Sequence, residues 1–200
     1  FDYVIHATQA VNDLYLDDQW GLAGAPGLNL PEAWSASTGG STVVVAILDT
    51  GMDLDHPDLA ANLWVNPGEV PNNGIDDDSN GYIDDVDGVN AITNTGNPMD
   101  DHSHGSHTAG TIGADGDNGI GVVGVNWNIS IIGCKFLDAN GGGNIANAIQ
   151  CFQYFNYMKK QEGQNIRVTN NSWSGGGYSQ ALRDAMEGLD QPGMSPILHA

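Results

Sequence analysis

Three groups of residues have the types and spacing to do chemistry. Asp49 closes the apolar run Thr42 to Asp49 (TVVVAILD) and is followed by Thr50-Gly51. A histidine cluster follows in Asp101-His102-Ser103-His104-Gly105-Ser106-His107. Imidazole titrates near neutrality, so it can act as a general base or as a metal ligand. The third group is the acidic stretch Asp76-x-Asp78-x-Asn80-Gly81-Tyr82-x-Asp84-x-x-Asp87. Its oxygen donors have the spacing of a calcium loop, with the flexible glycine at the sharp turn and the Tyr82 backbone carbonyl next. Asp87 stands where a bidentate glutamate is usual, so its shorter side chain must reach the ion directly or through water. So many carboxylates packed without a counter-ion would repel one another, which favours bound calcium in a structural role.

These residues need elements to position them. The run Thr42 to Asp49 is continuously apolar and β-branched, as expected of a strand buried on both faces of a parallel sheet. Similar runs span Ile129 to Leu137, Ile166 to Ser172 and Ser195 to His199. Helices are expected over Gly105 to Ala114, Asn144 to Lys160 and Ser179 to Leu189. In the second, Ile145, Ile149, Phe152 and Phe155 recur at helical spacing, Asn144 can cap the start, and Lys159 and Lys160 suit the end. The alternation predicts an α/β three-layer domain with a mainly parallel sheet and functional groups at the carboxyl ends of its strands, where Asp49 lies. Residues 1–34 read as an N-terminal arm and entry helix. Between 66 and 96 periodicity gives way to Asp, Asn and Gly, which points to a functional insertion.

Three segments, taken in order, resemble the subtilisin-like serine protease family (subtilases, peptidase S8). They are Val43 through Asp53 (VVVAILDTGMD), Asp101 through Gly110 (DHSHGSHTAG) and Val168 through Gly175 (VTNNSWSG). The likeness runs from the arm at Asn12-Asp13 and Gln19 to Leu22 through to the last strand. It implies a subtilisin-like fold and a serine endopeptidase acting through an Asp-His-Ser triad. Asp49 would orient and stabilise the imidazole, and His104 would take the serine proton. The asparagine of the family's oxyanion hole and its Gly-Thr-Ser-Met-Ala motif have no match, so the serine is expected beyond Ala200 and the 200 residues alone are expected to be inactive. The resemblance further implies that Ser172, Trp173 and Ser174 form the strand on which an extended peptide pairs, opposite Gly141 and Gly143. Ser174 departs from the family's usual glycine there. In thermitase-like members a second calcium site gathers residues that match Asp13, Asp58 and Asn118, with the carbonyls of Ile120 and Val122.

Two other readings compete. A catalytically inactive relative used for binding could keep every residue named so far. A zinc hydrolase could use His102, His104 and His107, whose spacing approximates the His-x-His-x-Asp-His motif of metallo-β-lactamase-like enzymes, with His199 as a distant ligand. Ser106 stands where that motif needs aspartate, and Asp49 would then have no role.

The balance of 25 acidic against 5 basic residues gives a net charge of −20, which opposes binding to nucleic acid or anionic membranes. No apolar run reaches the roughly 18 residues that a membrane helix needs. Cys134 and Cys151 are expected to be buried free thiols. The absence of an initiator Met and the apolar ending at Pro196 to Ala200 read as cut ends. The family's habits imply a secreted enzyme that acts on proteins or peptides and matures with a propeptide.

Overall fold

The computed structural model describes residues 11–22, 26–190 and 196–200. Parts of the expected arm and Ser195 of the last expected strand lie outside them. The centre is β1 (Gly39–Asp49). With β2 (Gly88–Asn90), β3 (Asn128–Lys135), β4 (Ile166–Asn170) and β5 (Leu198–His199) it forms a parallel sheet of order β2-β3-β1-β4-β5. Strand β2 was not foreseen: it lies inside the acidic insertion and is too short to show a period.

From Val44 to Leu48 strand β1 is apolar and buried, because both of its faces are covered there. Val44, Ala46 and Leu48 pack with Phe152, Phe155 and Met158 of α3 (Ile145–Lys160). Val45 and Ile47, pointing the other way, pack with Ala109 of α2 (His104–Gly113). These two faces give the three expected layers, with α4 (Gln180–Glu187) beside α3. Asn144 caps α3 by accepting from the Asn147 amide at 2.9 Å. A short α1 (Leu30–Trp34) packs Trp34 on Trp127, and its indole N–H donates to the Val125 carbonyl.

The expectation of free thiols is corrected. Cys134 on β3 and Cys151 on α3 are joined by a disulfide, with their Cα atoms 5.7 Å apart. Each lies on the apolar side of its element, and the strand–helix packing that buries them also brings them together. Replacing both by alanine should cost about 3 kcal/mol, the loop-closure entropy of a cross-link between residues this far apart in sequence. Urea denaturation of the double variant checks this; an unchanged midpoint would show that packing alone holds α3 to β3.

Candidate active site

The parallel sheet delivers Asp49 to the carboxyl end of its central strand, wholly buried. Its Oδ1 accepts from the Thr50 amide and lies 2.7 Å from His104 Nδ1. A carboxylate on Nδ1 fixes the tautomer with its proton there and leaves Nε2 as the acceptor. The His104 side chain is 43% exposed while Asp49 is 0% exposed, so the imidazole is accessible and the carboxylate bonded to it is shielded from water.

His104 begins α2, and the turn before it is held by Asp100. Its carboxylate accepts from the amides of His102, Ser103 and Ser106 and from the hydroxyls of Ser106 and Thr50. The Thr50 hydroxyl in turn accepts from the Gly105 amide. Only glycine fits at 105, because a Cβ there would overlap the Gly51 carbonyl oxygen. Burial pushes the Asp100 carboxyl up, but the Ser106, His102 and Thr50 hydrogen bonds outweigh it and hold the pKa at about 2. A depressed carboxyl stabilises the fold above its unfolded pKa near 4, and that contribution is lost as pH falls from about 4 to 2. Asp100→Asn should therefore cost about 1–2 kcal/mol at pH 6 after allowance for solvent screening. The gap from wild type should narrow below pH 4 in urea melts; a gap independent of pH would assign the effect to packing instead.

His104 opens onto a cleft of about 740 Å³ lined by His102, Leu137, Gly141, Gly143 and Ser172 through Gly176. Strand β4 ends at Asn170, two residues before the sequence pattern suggests. Beyond it Ser172, Trp173 and Ser174 make no backbone hydrogen bonds among the described residues. Across the cleft Leu137 pairs with Gly143 in an antiparallel bridge, and Gly141 takes the left-handed φ of +75°. Trp173 has two roles, since its backbone borders the cleft while its ring packs edge-on against Phe136 at 5.0 Å.

The three histidines do not converge. His104 Nδ1 is committed to Asp49, and His107 is exposed toward a different cavity that also holds His56. His107 lies on the outer face of α2. His199 bonds to Thr169 on the far side of the sheet. The zinc arrangement is therefore not formed.

The model of the subtilase family matches residues 40–197. The chain belongs to the subtilase family. It is 41% identical to subtilisin-like protease 1 of Plasmodium berghei over 92% of the chain and 30% of that protein. It is 32% identical to a protein named extracellular protease from Xanthomonas campestris, over the whole chain and 36% of that relative. The structure of a protease from Pseudoalteromonas arctica superposes with a TM-score of 0.67 at 27% identity, covering 92% of this chain and 56% of that one. The chain thus spans about a third of the length of these curated relatives.

As a subtilase, the chain also carries two acidic clusters away from the cleft. Among the described residues one group of carboxylates could hold a metal ion: Glu69, Asp78 and Asp85, with ligand atoms within 4.8 Å of one another. Asp85 is fully buried, and Glu69 nearly so; each leaves one oxygen (Asp85 Oδ1, Glu69 Oε2) without a partner. Burial, reinforced by the Asp78 and Glu69 charges and only partly offset by Tyr154 and Asn80, pushes Asp85 up to about 7. Unpaired buried oxygens on converging carboxylates fit a hard cation.

Of the residues singled out by loop spacing, Asp78 joins this cluster, and Asn80 borders it through its amide to Asp85. Asp76 instead accepts from the amides of Asn80 and Gly81, and Asp84 from those of Asn73 and Gly74. Asp87 is not in the cluster, and burial raises its pKa. The Tyr82 ring is buried and its hydroxyl bonds to Gln150. Glu69 and Asp85 were missed because Glu69 precedes the spaced run and Asp85 falls one position off it.

The second cluster brings the buried carboxylates of Asp13 and Asp58 together with the 118–122 loop. Asp13 Oδ2 accepts from the Asp117 amide and Oδ1 is unpartnered. Asp58 accepts from the Asn118 side chain and from the Val122 amide. The Asn118 side-chain oxygen accepts from the Ile120 amide. Burial, then the charge of Asp58, pushes Asp13 up, whereas its backbone hydrogen bonds pull it down.

Proposed function

We propose that this chain is part of a serine endopeptidase that hydrolyses peptide bonds in proteins. The observation that carries the reading is the 2.7 Å contact between a buried Asp49 and a cleft-facing His104. A serine hydroxyl supplied from outside these 200 residues would approach His104 Nε2. The imidazole would take its proton as the hydroxyl oxygen attacks the scissile carbonyl, and would then return that proton to the leaving amine. Asp49 would hold the tautomer and stabilise the imidazolium. The free backbone groups of Ser172 to Ser174 suit pairing with an extended peptide, with Gly141 and Gly143 on the opposite side. Ser174 adds a side chain beside that peptide and should narrow the accepted residues.

Calcium is the ion we assign to both acidic clusters, because their donors are all oxygen. One site would use Glu69, Asp78 and Asp85; the other Asp13, Asp58, Asn118 and the carbonyls of Ile120 and Val122. Bound calcium would supply the positive charge that these buried carboxylates lack. Such sites suit secretion, and a propeptide would occupy the same cleft before maturation.

Reading the gene past Ala200 and labelling the full-length protein with a fluorophosphonate tests the proposal. A downstream Gly-Thr-Ser that takes the label supports it. An open frame without that serine makes the protein a binding relative and overturns the hydrolytic reading.

A further inference from the structure

Lys135 is only 4% exposed, although burying an ammonium is costly unless its protons are bonded. All three are. Its Nζ donates to the Thr50 carbonyl at 2.6 Å, to the Leu137 carbonyl at 2.9 Å and to Asp101 Oδ1 at 2.6 Å.

These acceptors belong to the segments that hold the two halves of the active site. Lys135 lies opposite Asp49 in the β1–β3 register, and the Asp49 carbonyl accepts from the amides of Phe136 and Leu137. Thr50 follows Asp49 directly and its amide binds the Asp49 carboxylate. Asp101 lies in the segment leading to His104, beside the Asp100 carboxylate that caps α2. The Leu137 carbonyl belongs to the strand end that continues into the cleft wall. One buried cation therefore joins the strand end bearing Asp49, the approach to His104 and the floor of the cleft.

We propose that Lys135 is a positioning residue that sets the Asp49–His104 distance from beneath, through Thr50 and Asp101. It touches neither the imidazole nor the cleft. The ion pair has the asymmetry this role needs: Lys135 is fixed by the sheet, while the Asp101 side chain is 53% exposed and would be free without it. The inference rests on the hydrolytic reading for its kinetic consequence, but its geometric consequence stands apart from it.

The test uses the full-length protein with Lys135→Met and, separately, Asp101→Asn. Two quantities are read: kcat and KM on a peptide substrate, and the low-field NMR resonance of the His104 Nδ1 proton that a short bond to a carboxylate produces. Lys135→Met should lower kcat roughly 100-fold with KM within about twofold, the scale of a misplacement of about 1 Å, and should erase the low-field resonance. Asp101→Asn keeps an acceptor but loses the charge, so it should lower kcat about tenfold and shift the resonance. Because Asp101 is half exposed, this variant decides the matter if Lys135→Met does not fold. A folded variant that keeps the wild-type resonance and kcat overturns the proposal. If wild type hydrolyses no peptide, the hydrolytic reading fails, and the resonance alone still decides the role of Lys135.

Discussion

His104→Ala in the full-length protein should lower kcat by about 10⁵-fold while leaving KM within a few-fold, the pattern of losing a group that acts as a unit with its partners. The reason lies in the division of labour between the two side chains. Asp49 is buried and bonded through Oδ1 to both the Thr50 amide and His104, so it cannot itself reach a substrate. His104 is the accessible member of the pair. His102 is the informative comparison, because its ring stands 6.4 Å from that of His104 and lines the same cleft. It has no buried carboxylate to orient it, so His102→Ala should act mainly on KM and change kcat by less than about tenfold. His107→Ala, on the outer face of α2, should change neither. Steady-state kinetics on one peptide substrate separates the three variants. Equal kcat losses for His102→Ala and His104→Ala would mean that the wrong imidazole has been chosen as base.

The positions of Asp49 and His104 were legible because each sits at an element boundary that the sequence marks strongly. The apolar, largely β-branched run from Thr42 suits a strand covered on both faces, and its end places Asp49. The small residues after His104 suit a helix that approaches another backbone closely, as Gly105 does. What stayed hidden depends on contacts between distant segments. Nothing local distinguishes Cys134 from any other small apolar residue until α3 lays Cys151 against it. Strand β2 owes its existence to the exposed edge of β3 rather than to its own three residues. The acidic insertion was legible only in part for a related reason. Loop spacing assumes that the donors come from one continuous turn, whereas the carboxylates that could hold an ion include Glu69 from before the run and Asp85, buried under Tyr154. Lys135 gave no signal at all, since a lone lysine in an apolar strand acquires meaning only from the carbonyls around it.

Chelation should have the second large effect, on stability. If each acidic cluster holds calcium at about 100 times its dissociation constant, the two together contribute about 5 kcal/mol, so removing the ion should lower Tm by roughly 10–20 °C for a chain of this size. Asp85→Asn tests the cause more sharply than chelation alone. With calcium present the variant loses a charged ligand and should melt about 5 °C below wild type. In chelator the order should reverse. Asp85 Oδ2 accepts from Asn66, Asn80 and Tyr154, an arrangement that the asparagine oxygen can keep. The new amide would then occupy the place of the unpartnered Oδ1 and donate toward Glu69 and Asp78, replacing a buried repulsion by hydrogen bonds. Melting curves of protein blocked against autolysis, in calcium and in chelator, give the four values needed. Destabilisation of equal size in both buffers would mean that Asp85 serves the fold through its hydrogen bonds alone and that the ion binds elsewhere.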